Sequence, residues 1–232
     1  MARREGKRNL GYFFAELVIL ILGISASFAL NEYRLNRSEV NQERELLQSF
    51  HDNLTSDSFL LSNYVQVYER QIEIGNSILD LDANADYTDS TARNVLSLLS
   101  YSPFSPSDIT YQEMKSLGQS HIVRNDSLLT GLISLYEVNY DVVRVWGEVD
   151  GQHIKERLIP YIMENFPYIR GLNFPAMSSS QKRELMRQVN SDQYRYLIQF
   201  GSAYKNSTKT VYEQVLVEVR ALIDIINLEL SK

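Results

Sequence analysis

Between Leu10 and Leu30 the chain reads LGYFFAELVILILGISASFAL, 21 residues in which Glu16 carries the only charge. A helix of about 20 such residues crosses the hydrocarbon core of a bilayer. Gly23 is then followed by 51 residues, Ile24 to Ile74, with neither Gly nor Pro. With nothing to break it, the span is expected to continue as one helix into the rest of the chain for about 75 Å at ~1.5 Å per residue, serving as anchor and stalk together.

Arg3, Arg4, Lys7 and Arg8 precede this run against Glu5, and Tyr12, Phe13, Phe14 and Tyr33 sit near its ends. The positive-inside bias and the aromatic belts place the N-terminus in the cytoplasm. The expected organisation is a basic cytoplasmic tail over residues 1–9, a transmembrane helix over 10–30 and an extracytoplasmic helical domain over 31–232. The protein would then be single-pass in the cytoplasmic (inner) membrane. A cleaved signal peptide is the competing reading, since Ser27-Phe28-Ala29 resembles a small-x-small cleavage site. Against it, the apolar run exceeds a usual signal core, holds an acid and is followed by no helix breaker.

An ionisable residue within a span is a functional hypothesis by default. Glu16 lies about two turns from Arg8, so it could reach the headgroups, pair with a basic residue of a neighbour or stay protonated. A polar contact with a partner and a proton or ion relay are the other readings. Gly23, Ala26 and Ser27 place small side chains three and four apart on one face, which permits close approach of another span. Glu16, seven residues before Gly23, projects near that face. The candidate contact face is therefore Glu16, Gly23, Ala26 and Ser27.

Beyond the span, Leu47, Phe50, Leu54, Leu61, Tyr64, Val65, Tyr68, Ile72 and Leu79 recur at helical spacing. A turn cluster, Asp82 to Asp86, ends that helix, and Asp89 or Ser90 is the expected cap of a short one through Leu99. Ser107 or Asp108 caps a helix that stops at Gly118, and Asn125 or Asp126 caps a long one whose Leu128, Leu132, Leu135, Tyr136, Val142, Val143, Val145, Trp146, Ile154, Leu158 and Ile162 are spaced for burial. Gly131, Gly147 and Gly151 weaken that helix locally, and Pro160 kinks or ends it. After a loop from Phe166 to Pro175, a helix capped within Ser178 to Ser180 precedes a final long one. Its stripe is Tyr194, Leu197, Ile198, Gly201, Tyr204, Val211, Val215, Val219, Leu222, Ile226 and Leu230. No alternating strand pattern and no internal repeat occur. The expected fold is all-α: three long helices packed antiparallel with short helices between them, a four-helix-type bundle carried on the membrane helix.

Two segments carry a resemblance. Glu16, Gly23, Ile24, Asn31 and Tyr33 in the span, and Tyr111, Lys115, Gly118, Ile122, Arg124, Asn125 and Leu128 further on, resemble the signatures of an uncharacterised bacterial domain-of-unknown-function family of small single-span proteins. The second signature is a helix, a glycine stop and an Asn-capped helix. Ser25 and Ser27 depart from the larger apolar residues usual in that family. The resemblance covers about a quarter of the chain and implies topology and fold, without an activity.

The residues offer little chemistry. There is no cysteine, so thiolate nucleophiles, disulfides and cysteine-ligated metals are excluded. His51, His121 and His153 fall in separate segments without the paired spacing of imidazole metal sites. His153 and Glu156, with Glu148 and Asp150 nearby, come closest, and read as a solvated face. Glu43 with Glu45, and Asp80 with Asp82, are two apart and point to different helix faces, so neither pair shares a proton. No phosphate loop, nucleophile elbow or dinucleotide fingerprint occurs. Setting aside the five charges of the tail and Glu16 leaves 19 basic and 27 acidic residues, a net of −8 that repels nucleic acid. The fifteen tyrosines are expected to fill helical interfaces, a ligand pocket between helices being the alternative. Asn36, Asn53, Asn125 and Asn206 begin Asn-x-Ser/Thr triplets, which matter only in a eukaryotic secretory route.

The functional expectation is a non-catalytic, membrane-tethered helical scaffold of the cell envelope, not an enzyme and without cofactor or metal. Its expected partners are further copies of itself or another envelope membrane protein. Two alternatives stand beside it: an accessory subunit of an ion-coupled motor or transporter using Glu16, and a ligand-sensing bundle that signals through a membrane partner.

Overall fold

The computed structural model describes residues 9–167 and 177–232, with side chains from Tyr12 onward. The tail and most of the expected Phe166–Pro175 loop lie outside the described residues. Eight α-helices are present among the described residues, and no strand. They are α1 (Asn9–Leu79), α2 (Asp89–Ser97), α3 (Ile109–Ser116), α4 (Asp126–Ser134), α5 (Tyr140–His153), α6 (Ile159–Asn165), α7 (Ser179–Val189) and α8 (Asp192–Leu230). A 3₁₀ turn, Gln119–Ile122, links α3 to α4, and π turns over Leu135–Asn139 and Ile154–Leu158 join α4, α5 and α6 into one rod.

The 71 residues of α1 form one helix without interruption. It ends where the Asp82 carboxylate accepts the Asn84 N–H at 2.7 Å in the turn that follows. The Arg195 guanidinium, from α8, donates to the Leu79 carbonyl and so satisfies an acceptor that the helix end would leave unpaired. The cap of α2 is Thr88, whose hydroxyl accepts the Thr91 N–H, one residue before the expected Asp89 or Ser90. Asp108 occupies the cap position of α3 without a side-chain bond to the helix backbone, and Gly118 beyond it adopts φ 65°, the left-handed conformation of a glycine stop. Asn125 caps α4 through the Leu128 N–H. Ser178 and Gln181 form a full capping box at α7.

The long α8 packs antiparallel along α1, Gly75 meeting Ser202 at one end and Tyr64 meeting Tyr212 further down. It also runs antiparallel to the α4–α6 rod, which it meets at Leu222 against Gly131 and at Lys205 against Asp150. The expected antiparallel packing therefore holds between neighbours. The rod and α1, on a diagonal, run the same way. The chain returns from the top of α1 to the start of the rod through α2, a segment holding Pro103 and Pro106, and α3. This broken fourth staff completes the bundle.

Two apolar cores fill it. The lower one gathers Leu47, Phe50, Leu54, Leu61 and Tyr68 of α1 with Leu128, Leu132, Leu135 and Val143 of the rod and Val215, Val219 and Ile226 of α8. The upper one gathers Ile78, Val95, Leu158, Ile162, Leu185, Val189, Tyr194 and Ile198. Below the lower core α1 leaves the bundle: every described side chain from Tyr12 to Gln42 is exposed. At ~1.5 Å per residue this is about 45 Å of helix with almost no contact to the rest of the molecule.

Candidate functional site

A belt of polar side chains separates the two cores. Asp150 and Lys205 are 0% and 3% exposed at their side chains, and Lys205 Nζ donates to both Asp150 oxygens at 3.1 and 3.0 Å. The ammonium also lies 5.5 Å from the centre of the Tyr68 ring. Burial pushes the Lys205 ammonium below its ordinary value and the Asp150 carboxyl above its own, and the attraction between the two charges opposes both shifts. His153, on the turn after Asp150, donates from Nε2 to the Leu197 carbonyl at 2.9 Å, which a carbonyl acceptor requires. Burial holds its imidazole below the ordinary value. Asp150 and His153 are thus interior residues, which corrects their reading as part of a solvated face; Glu156 is exposed as expected.

The belt has a structural cause in the broken staff. Between α2 and α3 the backbone forms no regular ladder, so its N–H and C=O groups need side-chain partners when the helices close around it. Gln71 Nε2 donates to the Ser97 and Ser100 carbonyls at 3.2 and 3.0 Å. Lys205 adds a bond to the Ser100 carbonyl at 3.4 Å, and the Tyr212 hydroxyl donates to that of Ser102 at 3.0 Å. Asp57, fully buried in the lower core, accepts the Ser107 N–H at 2.9 Å and the Tyr140 hydroxyl at 2.7 Å. The Tyr136 hydroxyl closes the set on the Ser107 carbonyl at 3.2 Å. Tyr68, Tyr136, Tyr140 and Tyr212 fill interfaces as expected, the last three with the further task of satisfying this segment, whereas Tyr12, Tyr33 and Tyr196 are exposed.

No group of three His, Asp or Glu side chains is arranged to hold a metal ion among the described residues. An open groove of about 520 Å³ lies where α1 leaves the bundle, between Glu43, Arg44, Arg124 and Glu229. Its charges are mostly matched: Arg124 reaches Glu39 and Glu43 at 3.5 Å each and Asn36 at 3.0 Å, and Glu229 accepts from Asn125 and Lys232 at 2.6 Å each. Arg124 thereby fastens the emerging helix to the base of the bundle. A groove of about 410 Å³ runs beside His153, Arg157, Phe200 and Tyr204.

The expected contact face is fully outside the bundle. Glu16, Gly23, Ala26 and Ser27 are all exposed on α1, and an added Cβ at Gly23 would meet nothing within 4 Å. The Ser27 hydroxyl is turned back onto the Gly23 carbonyl at 2.9 Å, so it is satisfied within its own helix. Around it Tyr12, Phe13, Ile19 and Phe28 are 80, 74, 71 and 71% exposed. His51, His121 and His153 stay apart: His51 contacts Asp52 at 3.3 Å and His121 bonds the Gly118 carbonyl at 3.0 Å. Asp57, Gln71, Lys205 and Thr208 are buried polar residues that the apolar pattern passed over. Their signal was position alone, since each falls on a core-facing stripe. No protein-family model, no curated protein and no solved structure matches the chain.

Proposed function

We propose that the protein is a membrane-tethered, non-catalytic interaction scaffold. It would be anchored by the first part of α1 in the cytoplasmic membrane, with its N-terminus in the cytoplasm and the bundle outside. The observation that carries this reading is the exposed run of α1. Large apolar side chains cannot stay in water over such a length without cost, at ~25 cal/mol per Å² of apolar surface, and the bundle buries none of them. A bilayer, with another span against Glu16, Gly23, Ala26 and Ser27, removes that cost. The interior charges support a non-catalytic reading, because each is engaged with the chain itself. The family resemblance belongs to the same proposal; the segment that carries its second part holds Gly118 in the left-handed conformation and the Asn125 cap.

A reporter fused after Lys232 is expected to read as extracytoplasmic, and the mature protein to retain residues 1–30. N-terminal sequencing that begins near Asn31 would overturn the anchor. Glu16→Gln distinguishes the ion-coupled alternative: a scaffold keeps its assembly and its host complex keeps activity, whereas a relay loses activity.

A further inference from the structure

A second exposed apolar feature lies on the bundle itself. Val138, Val142 and Val145 are 55, 42 and 50% exposed on the outer face of the rod, with Val149 half-buried one turn further on. Their spacing of four, three and four is the a/d spacing of a coiled-coil seam. The core-facing stripe of α5, Tyr140, Val143, Gly147 and Asp150, lies on the opposite side of the same helix. Ile133, 41% exposed, joins the seam below Val138, because the π turn between them adds one residue and brings a spacing of five onto one face. The seam therefore runs about 24 Å along the bundle axis at ~1.5 Å per residue.

We propose that this valine seam pairs the bundle with a second copy of the chain, helix against helix and in parallel. The parallel arrangement rests on the anchor proposed above: two copies standing on one membrane share a direction, so a two-fold axis along the bundle sets each valine against its own counterpart. The a/d spacing then closes without a complementary sequence from another protein. The rim needs no outside charge, because Glu137 is paired with Lys115 at 2.5 Å, Glu148 with Lys155 at 3.6 Å and Asp141 with Arg144. The seam stands along the bundle axis, so the surface of the bilayer that holds α1 does not lie across it. One stripe of this size is modest against the ~1,200 Å² of a stable soluble interface, and tethering to a membrane supplies the effective concentration that such a contact needs. Because α1 and the rod occupy a diagonal, pairing through the rod leaves both α1 helices on the outside of the pair.

The chain has no cysteine, so single cysteines report directly. In native membranes, full-length Val142→Cys is expected to give a disulfide-linked homodimer on mild oxidation, at least several-fold more than Phe59→Cys, exposed on α1. Adding Val145→Glu to Val142→Cys should abolish the product while leaving thermal unfolding unchanged, since the side chain is exposed. Equal crosslinking at both sites, or a Val142→Cys adduct to a protein of different mass, overturns the proposal. Alkaline carbonate extraction of the same membranes keeps the two readings separate. Protein in the pellet without the dimer rejects the seam alone, and protein in the supernatant rejects the anchor.

Discussion

Lys205 and Asp150 occupy an interior where an isolated charge is costly, and each is tolerated only because the other is there. Lys205→Met is therefore expected to destabilise the detergent-solubilised chain by ~3–5 kcal/mol, since it leaves Asp150 buried without its cation. Lys205→Met with Asp150→Leu should recover most of that loss, measured as urea midpoints followed by circular dichroism. A double variant no more stable than the single one would show that Lys205 acts through the Ser100 carbonyl instead. At this scale the sequence was only partly legible. Asp150 sits in Val143, Gly147, Asp150, Ile154, spaced four, three, four, and Lys205 in Ile198, Gly201, Lys205, Thr208, Tyr212. Both registers point to the core, but a pattern built on apolar residues skips polar members. Asp150 bonds Lys205, 55 residues on, and Lys205 also bonds the Ser100 carbonyl, 105 residues back, which spacing along one helix does not reveal.

Among the elements, α1 was the most legible, since Leu47, Phe50, Leu54, Leu61 and Tyr68 are buried as expected; beyond them the buried face moves to Gln71, Gly75 and Ile78, leaving Ile72 and Leu79 half-buried. Leu61 is fully buried in the lower core, whereas Glu69 makes only an exposed pair with Lys209 at 3.4 Å. Leu61→Ala should cost ~2–5 kcal/mol, and Glu69→Ala at most ~1 kcal/mol, by the same unfolding measurement. Equal costs would reject the face assigned to the core. The rod was harder to read: Val142 and Val145, expected in its buried stripe, are exposed, 42 and 50%. Two π turns shift its register by a residue each, so a constant period of 3.6 drifts off the observed face, and the second takes up the mismatch just before Pro160, where the helix was expected to kink or end. Its glycines, expected as weak points, are places of close approach: a Cβ at Gly147 would lie 2.8 Å from the Tyr212 hydroxyl, and one at Gly151 would lie 2.9 Å from the Tyr101 ring.

At the scale of the whole molecule, the division into a protruding apolar helix and a bundle follows from where burial begins along α1. The expected boundary was Leu30, set by hydropathy. The first half-buried side chain among the described residues is Glu43, because residues 31–42 face no other helix. Across this spacer Arg124 alone among the described residues reaches back, to Asn36 and Glu39, in exposed contacts that contribute ~1 kcal/mol or less each. Removing residues 1–37 therefore takes away the apolar surface while keeping Glu39 and every side chain of both cores. The fragment 38–232 is expected to be soluble without detergent, to show a helix-dominated far-UV spectrum and to unfold with the same urea midpoint as the solubilised full chain. Aggregation of the fragment, or a midpoint well below that of the full chain, would mean that the first half of α1 completes the fold, and its exposed apolar face would then need a partner within the assembly and not a bilayer.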